Sequence, residues 1–429
     1  MTLSTFPDRD SIRTDQLSKL LTLLATVLDS NSFYSAKLRS AQLVSAISTL
    51  EQFISRVPFT RKEDLVGDQR LHPPYGTNLT YPLDRYSRFS QTSGTTGQPL
   101  RWLDTTESWD WMVGNWVRVF EAAQVSGQDC VFFAFSFAPF LGFWTAFEAA
   151  TRIGCLSIPG GGLSSSARLR IMLENGATVL CCTPTYAIRL AEVAAEEKLD
   201  LSQLRLKAII VAGEPGGSLP AMRTRIEHLW NGARVRDHHG MTETGPVTYA
   251  CPKQDDVLHV IESAFFCEVI NSETGQEVNS GETGELVLTN LGRLGSPLLR
   301  YRTGDLVQTV KGRPCMCRSY ETALQGGIRG RVDDVIVIRG VNLYPSAVEE
   351  IVRSNRHVVE YQVEVEAGTA LSALRLRIEV SPECGDGASL AKRLESSLRN
   401  AFALRIPVTV VPGGTLPRSE MKSKHWVRV

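Results

Sequence analysis

Residues 92–99 read TSGTTGQP and hold two glycines and four hydroxyl residues in eight positions. Such a segment has little side chain to bury, so its backbone N–H groups and hydroxyls can lie close to an anion such as phosphate. It is not the lysine-bearing P-loop, because no Gly-Lys-Ser/Thr sequence follows. Since Gly, Ser and Thr also cluster in ordinary turns, the segment alone leaves both interpretations open.

Further along the chain, other loop segments carry more polar residues than packing requires. They are DHHGMTETGP at 237–246, YRTGDL at 301–306, GRVDDVIVIRGVNLYP at 330–345 and PRSEMKSK at 417–424.

These segments together match the needs of a reaction that uses ATP. Such a reaction needs a carboxylate for Mg²⁺, hydroxyl and N–H groups for phosphate, a carboxylate for the ribose hydroxyls, and a cation near the developing charge. Glu243, Thr242 with the 92–96 loop, Asp305 and a late lysine supply them in that order. Each has an ordinary alternative, since Asp305 fits a turn and Lys422 a solvated surface. Their joint occurrence in one order favours an ATP site.

The elements that would position these residues are an amphipathic helix and then a layered α/β region. Five leucines at helical spacing after a cap at Thr14 predict the helix: Leu17, Leu20, Leu21, Leu24 and Leu28. Short apolar runs at 131–135, 178–181, 208–211 and 285–288 then alternate with helical stretches, which indicates a largely parallel sheet. Ligand sites in such sheets lie at the carboxyl ends of the strands.

From about residue 330 the pattern changes to a β-α-β-β-α-β order of about 100 residues. VIVIRG, a helix from about Pro345 to Ser354, LRLRIEV, a helix from about Ser389 to Phe402, and PVTVVP make up this order. The pattern predicts a separate small α+β domain.

Composition narrows the class of protein. The 429 residues are 43% hydrophobic and 21% charged, with 46 basic and 46 acidic residues, which predicts two or three globular domains and argues against a nucleic-acid or anionic membrane surface. The N-terminus is too polar for a signal peptide, and nine cysteines lack disulfide-scaffold spacing, so we expect a cytoplasmic protein. The uncharged stretch between Asp129 and Glu148 contains Pro139 and Gly142, and we interpret it as a buried strand, loop and helix rather than a membrane span.

The ordered set TSGTTGQP, HGMTETG, YRTGD, GRVDDVIVIRGVNLYPSAVEEIV and a C-terminal lysine resembles the adenylate-forming enzymes. This superfamily comprises acyl-CoA synthetases, nonribosomal peptide synthetase adenylation domains and luciferases. IRGVNLYP, NSFYSAKL in the opening helix, PFTRKEDL and AGEP at 212–215 are similar to the phenylacetate-CoA ligase group. The resemblance implies a large multi-sheet α/β domain at 1–331 with the acyl and ATP sites. A small, mobile α+β domain at 332–429 would carry the catalytic lysine.

The resemblance also implies residue roles. The nucleotide and CoA contacts would be Thr92, Ser93, Gly94, Thr95, Thr96, Gly97, Gly213, Glu214, Pro215, Asp237, His238, His239, Gly240, Met241, Thr242, Asp305, Arg331 and Gly340. Particular roles would be α-phosphate contact for Thr242, Mg²⁺ binding for Glu243, ribose binding for Asp305, adenylation for Lys422, the domain hinge for Asp333, and the pantetheine channel for Gly340. Lys422, Thr242 and Glu243 would form the catalytic set.

The chain departs from the family pattern at three points. His239 stands where the family usually has a tyrosine that stacks on adenine; a neutral imidazole ring can take the same position. Leu100 and Arg101 follow the first motif where many relatives carry a lysine. Glu-Met-Lys replaces the usual Gly-Lys, which leaves Lys424 open as an alternative to Lys422.

A metal site is a further expectation. Cys315 and Cys317 form a C-x-C pair, and Cys251 precedes His259 by eight positions, so three sulfurs and one imidazole suit a closed tetrahedral zinc site. The long gap between the two halves also allows unrelated buried cysteines. The resemblance implies zinc binding, because some members of the phenylacetate-CoA ligase group have similar cysteines and a histidine that bind zinc. The role would be structural, since four protein ligands leave no open position.

The acyl pocket of the group lies beside the stretch that here reads AFSFAPFLGF and under the AGEP segment, with Ala212 and Gly213. Phe135, Phe137, Phe140 and Phe143 can line a slot for a flat ring or belong to the core, and Phe137 and Phe140 align best with pocket positions. No cationic residue lies in this stretch, so we expect an aryl or arylacetic acid rather than a dicarboxylate.

The resemblance therefore implies an ATP-dependent acid–CoA ligase that forms an acyl-adenylate and then a thioester, using ATP, Mg²⁺ and CoA with a structural Zn²⁺. Two alternatives stay open: loading of a carrier-protein thiol in natural-product assembly, and a non-catalytic nucleotide-binding protein of the same fold. We expect small-molecule partners, neither nucleic acid nor membrane, and a homodimer is left open.

Overall fold

The computed structural model describes residues 7–41, 47–92, 99–137, 139–310, 314–334, 336–338, 341–366, 373–418 and 425–429. The helices are α1 (Arg9–Ser30), α2 (Ser32–Ser40), α3 (Leu50–Arg56), α4 (Lys62–Leu71), α5 (Thr106–Ala122), α6 (Trp144–Arg152), α7 (Ser165–Glu174), α8 (Pro184–Glu196), α9 (Pro220–Leu229), α10 (Pro345–Arg353) and α11 (Gly387–Phe402).

The strands are β1 (Tyr86–Gln91), β2 (Arg101–Thr105), β3 (Cys130–Phe133), β4 (Leu156–Pro159), β5 (Val179–Cys182), β6 (Ala208–Val211), β7 (Arg234–Asp237), β8 (Gly240–Met241), β9 (Gly245–Pro246), β10 (Thr248–Ala250), β11 (Val257–Val260), β12 (Phe265–Ile270), β13 (Thr283–Asn290), β14 (Tyr301–Gln308), β15 (Ala323–Gln325), β16 (Gly330–Arg331), β17 (Ile336–Ile338), β18 (Val341–Leu343), β19 (Val358–Glu366), β20 (Ala373–Val380), β21 (Val408–Val411) and β22 (Trp426–Arg428).

The centre of the large domain is a parallel sheet with the order β4-β3-β5-β6-β7. Its strands β3, β5 and β6 are buried along their whole length, because helices cover both faces. The carboxyl ends of these strands share one edge, and the loops there carry several of the predicted site residues.

The run at 285–288 was predicted for this parallel layer, and that prediction is wrong. It lies in β13, inside an antiparallel sheet with the order β12-β13-β14-β16. Seven of the eight residues of β13 are buried, and continuous burial removes the alternation that usually marks an antiparallel strand.

The opening helix forms as predicted but starts earlier. Asp8, not Thr14, caps α1, because its side chain accepts a hydrogen bond from Ser11 N at 2.8 Å. Leu20 and Leu24 are buried, whereas Leu21 and Leu28 are exposed. The buried stripe therefore covers only part of the predicted leucine face.

The uncharged stretch 130–147 contains the buried strand β3 and the start of α6, as expected. None of the helices in the described ranges combines the length and apolar composition that a membrane crossing needs.

The small domain is a sheet with the order β21-β20-β19-β22 and the helices α10 and α11. VIVIRG was expected to supply one strand of this sheet. Instead, β17 pairs with β18 as a separate hairpin, and the C-terminal β22 lies parallel to β19. The large α/β domain and the small α+β domain confirm the predicted fold class, while the boundary between residues 331 and 332 stays a prediction.

Candidate active site

The glycine- and hydroxyl-rich segment connects the paired strands β1 and β2. Thr92 N donates to Leu100 O and Leu100 N donates to Thr92 Oγ1, each at 3.0 Å, so one residue closes both ends of the connection. The Thr92 hydroxyl therefore accepts a hydrogen bond from the residue at the other end of the connection. The predicted phosphate contacts Ser93, Gly94, Thr95, Thr96 and Gly97 lie outside the described residues.

The segment after β6 carries Ala212, Gly213, Glu214 and Pro215 at the carboxyl edge of the parallel sheet. Gly213 has a φ of 95°, in the left-handed region that favours glycine. Glu214 Oε1 accepts a hydrogen bond from Thr185 N at 2.9 Å, in the first turn of α8. A carboxylate at this position stabilises the helix N-terminus.

Asp237 and His238 end β7 inside the protein. Asp237 Oδ2 accepts from Ser218 Oγ at 2.6 Å, and burial raises the pKa of Asp237. His238 Nδ1 lies 2.6 Å from Thr248 O, its ring is 4.2 Å from that of Trp116, and burial lowers its pKa to about 3. His238 is therefore a neutral core residue rather than an acid or base.

The neighbouring His239 faces the other way. Its Nε2 lies 3.2 Å from Asp305 Oδ2, yet neither of these buried atoms makes a hydrogen bond to the described residues. Arg331 binds the other oxygen, Asp305 Oδ1, at 3.1 Å and also pairs with Asp333 at 2.9 Å. Burial opposes the charge on Arg331, but Asp305 and Asp333 outweigh it and raise its pKa. Asp305 Oδ2 therefore lies against the His239 ring but receives no hydrogen bond from the described residues.

The turn after the short strand β8, which holds Gly240 and Met241, presents Thr242 and Glu243. The Glu243 carboxylate is almost buried, and its Oε1 lies 3.0 Å from Lys62 Nζ. Sequence reasoning assigned Lys62 no role, although it stands in PFTRKEDL at the start of α4. No local signal relates it to Glu243, because 181 positions separate the two and only tertiary packing joins them.

Three of the predicted acyl-pocket phenylalanines are linked by ring contacts, because Phe135 lies between Phe137 and Phe143, with ring centroids 5.9 and 5.5 Å apart. Phe137 contacts Trp144 and Phe147 edge to face, with ring centroids 5.4 and 5.5 Å apart. Phe143 is instead buried in the core against Trp116 at 5.6 Å. Phe140 is half-buried on the loop between β3 and α6.

Cys251, His259, Cys315 and Cys317 come together, with all four donor atoms within 4.8 Å of one another. Cys251 Sγ lies 3.6 Å from Cys315 Sγ, close to the ~3.8 Å that two sulfurs bound at about 2.3 Å span in a tetrahedron. His259 Nδ1 lies 3.2 Å from Glu321 O, which leaves Nε2 to face the sulfurs at 3.3 Å from Cys317.

The small domain contacts α9 of the large domain. Ala221 N, in the first turn of α9, donates to Glu350 Oε1 at 3.0 Å, and Arg225 donates to Val358 O at 2.7 Å. Lys422, its alternative Lys424 and Gly340 lie outside the described residues.

Comparisons with known proteins agree with this geometry. A model of the AMP-binding enzyme family matches residues 89–292, and one of the AMP-binding enzyme C-terminal domain matches 340–428. The chain is 28% identical over 424 residues to phenylacetate-coenzyme A ligase from Pseudomonas putida, covering 97% of this chain and 94% of that one. It is 30% identical over 369 residues to the ligase of the same name from Aromatoleum evansii, covering 83% and 80%.

The fold matches 2-hydroxyisobutyryl-CoA ligase in the postadenylation state with a TM-score of 0.94, at 26% identity and with 99% and 91% of the two chains covered. Against the same enzyme in the thioesterification state the TM-score is 0.73, at 27% identity and the same coverage. The lower score with almost complete coverage indicates a different arrangement of the two domains. Together with the family models, these likenesses establish that the chain belongs to the AMP-binding enzyme family, in its group of phenylacetate-CoA ligase-like acid–thiol ligases.

Proposed function

We propose that this chain converts an aryl or arylacetic acid, ATP and CoA into the acyl-CoA thioester, AMP and pyrophosphate. Activation of an acid with ATP through an adenylate, followed by thioester formation with CoA, follows from membership of the ligase group. The aromatic acid is supported by one observation, the edge-to-face cluster of Phe137, Trp144 and Phe147 after β3. Rings in this arrangement favour a further flat ring. Phe140, Ala212 and Gly213 would complete the pocket.

The nucleotide would bind along the carboxyl edge of the sheet. Asp305 Oδ2, which lacks a hydrogen bond from the described residues, would accept one from a ribose hydroxyl, while Arg331 holds Oδ1. The His239 ring would pack on adenine. Asp237 and His238 would support this edge from within the core, because their polar atoms are already bonded to protein.

The phosphates would lie between the 92–97 loop and the turn at Thr242. The carboxylate of Glu243 fits Mg²⁺, which prefers such oxygen ligands and when bound would neutralise phosphate charge. Lys62 Nζ, 3.0 Å from Glu243, would add a positive charge at the same place. Lys62 would thereby replace the positive charge of the lysine that many relatives carry after the first motif and that this chain lacks.

Two displacements complete the reaction. The carboxylate oxygen of the acid attacks the α-phosphorus of ATP, and pyrophosphate leaves with the electron pair of the broken P–O bond. The CoA thiol then loses its proton and attacks the acyl carbon, and AMP leaves. Lys422 would stabilise the charge in the first step. Rotation about Asp333 would bring the Gly340 segment to the site for the second.

The Cys251, His259, Cys315 and Cys317 cluster would hold Zn²⁺ as a structural ion. Four protein ligands leave no open position for a substrate, so the ion would join β10, β11 and the loop before β15.

A pyrophosphate-release screen over aromatic and short aliphatic acids tests the proposal, with CoA or a carrier protein as the acceptor. We expect turnover with an aryl or arylacetic acid and CoA. Turnover with a carrier protein but not with CoA would show that a carrier thiol is the acceptor. ATP binding without pyrophosphate release for any acid would contradict the enzymatic function. Lys422→Ala should abolish adenylation and leave thioester formation from supplied acyl-AMP intact, with Lys424→Ala as its control; the reverse pattern would exchange the two lysines.

A further inference from the structure

The backbone of the turn at residues 242–244 is held from behind by buried side chains. Arg293 Nη1 donates to Thr242 O at 2.8 Å and to Glu243 O at 2.9 Å. Asn290 Nδ2 donates to the next carbonyl, Thr244 O, at 3.0 Å. Three consecutive carbonyls are therefore bound by side chains from the end of β13 and the loop that follows it.

Arg293 is itself fixed by Asp104. Its Nε and Nη2 donate to the two carboxylate oxygens at 2.6 Å each, and the two side chains are 0% and 1% exposed. The guanidinium also lies over the ring of Trp102, 5.2 Å from its centroid. Asp104 and Trp102 are on β2, the strand that leaves the glycine- and hydroxyl-rich loop.

A fully buried ion pair is an expensive way to stabilise a fold, since apolar residues of similar volume often serve as well. What such a pair provides is a single geometry, because the planar guanidinium binds in one orientation. We propose that Arg293 and Asp104 are positioning residues for adenylation. They fix the Thr242–Glu243 turn relative to β2, so that the Glu243 carboxylate keeps one position.

This inference rests on the proposed role of Glu243, and its test separates the two. Removing both charges with Arg293→Met and Asp104→Leu avoids an unpaired buried charge, so the double variant should fold, with a thermal midpoint lowered no more than in the control pair described below. We expect its adenylation rate, measured by pyrophosphate exchange, to fall about 10- to 100-fold, the usual effect of losing the support of a ligand. Calorimetric binding of Mg²⁺·ATP should weaken by a similar factor. Arg293→Lys should behave alike, since lysine cannot bind both partners in the same plane.

The matched control is Arg300 with Glu268, a second buried bidentate pair at 2.7 and 3.0 Å whose arginine holds Val57 O instead of the turn. Arg300→Met with Glu268→Leu should leave exchange and Mg²⁺·ATP binding unchanged. Wild-type exchange and binding in the Arg293/Asp104 double variant would overturn the positioning role, as would an equal loss in the control. If Glu243→Gln leaves exchange intact, the proposed function of the turn fails, independently of Arg293.

Discussion

The cysteine–histidine cluster and the Glu243/Asp305 site both gather polar side chains from segments far apart in sequence. In the cluster, the donor atoms of Cys251, His259, Cys315 and Cys317 lie within 4.8 Å of one another. Their further hydrogen-bond contacts are to protein atoms: Glu321 O for His259, Lys253 N for Cys251 and Gln254 Oε1 for Cys315. At the other site, Asp305 Oδ2 and His239 Nε2 face each other without a hydrogen bond. A set of four protein ligands suits a permanently bound ion, whereas buried polar atoms without a hydrogen bond suit a substrate that binds and dissociates in each turnover.

From this contrast we expect the first region to serve stability and the second to serve chemistry. Perturbing the cluster should change unfolding with little direct effect on turnover per folded molecule. Perturbing the Glu243/Asp305 site should change turnover with little effect on unfolding.

The largest effect should follow removal of metal from the cluster. Because a structural zinc contributes many kcal/mol to folding, we expect a chelator, or Cys317→Ser, to lower the thermal midpoint by about 10 °C or more. Differential scanning calorimetry, with the zinc content measured in parallel, checks this. Cys384→Ser, a half-buried cysteine in the small domain, is the control and should change neither quantity. A zinc-free protein with an unchanged midpoint would contradict the structural role.

At the other site, Glu243→Gln keeps the shape of the side chain and removes its charge. We expect adenylation to fall roughly 100- to 1000-fold, as when one electrostatic group of an active site is lost. The thermal midpoint should stay within about a degree, because Lys62 at 3.0 Å and Tyr301 at 3.4 Å are the polar partners that the carboxylate has among the described residues. Pyrophosphate exchange measures the rate, and Glu174→Gln, at an exposed position at the end of α7, is the matched control. A large loss of stability with normal pyrophosphate exchange would show that Glu243 serves stability rather than chemistry.

The adjacent histidines repeat the contrast on a smaller scale. The pKa of His238 is about 3 in the folded protein against an ordinary 6.5, so the unfolded chain binds the proton more tightly. Stability should therefore fall as the pH falls from 6.5 towards 3, and this one group should remove about 2 kcal/mol between pH 7 and pH 5.

Chemical denaturation at both pH values checks this. His238→Gln should show a pH dependence smaller by that amount. An unchanged pH dependence in His238→Gln would show that the ring is not buried in its neutral form.

The smallest effect concerns Phe137 and Phe143. Phe137→Ala should raise the KM for an aryl acid by about tenfold, in line with the worth of one aromatic contact, and leave a short aliphatic acid little changed. Phe143→Leu should lower the thermal midpoint without changing this preference, because Phe143 packs in the core. Steady-state kinetics with both acids decides. Equal losses for both acids in Phe137→Ala would remove Phe137 from the pocket.

Much of the fold was predictable, with informative exceptions. The run at 208–211 matches β6 residue for residue, because a fully buried parallel strand is a short apolar run between turn residues. The same apolar pattern at 285–288 led to the wrong prediction of a parallel strand, because a strand buried on both faces has the same composition in a parallel and in an antiparallel sheet. VIVIRG was placed in the wrong sheet because strand pairing depends on register and on distant chain segments, not on composition.

By itself, the sequence determined the family, the two-domain α/β fold and the residue types that the chemistry needs. These depend on short motifs in a given order, and each motif is local. Only the tertiary structure decided that Lys62 lies beside Glu243 and that Arg293 and Asp104 hold the turn at Thr242. It also brought Cys251 to Cys315. Such pairs join residues more than fifty positions apart, and no periodicity or motif spacing encodes a contact that arises only when sheets and loops pack.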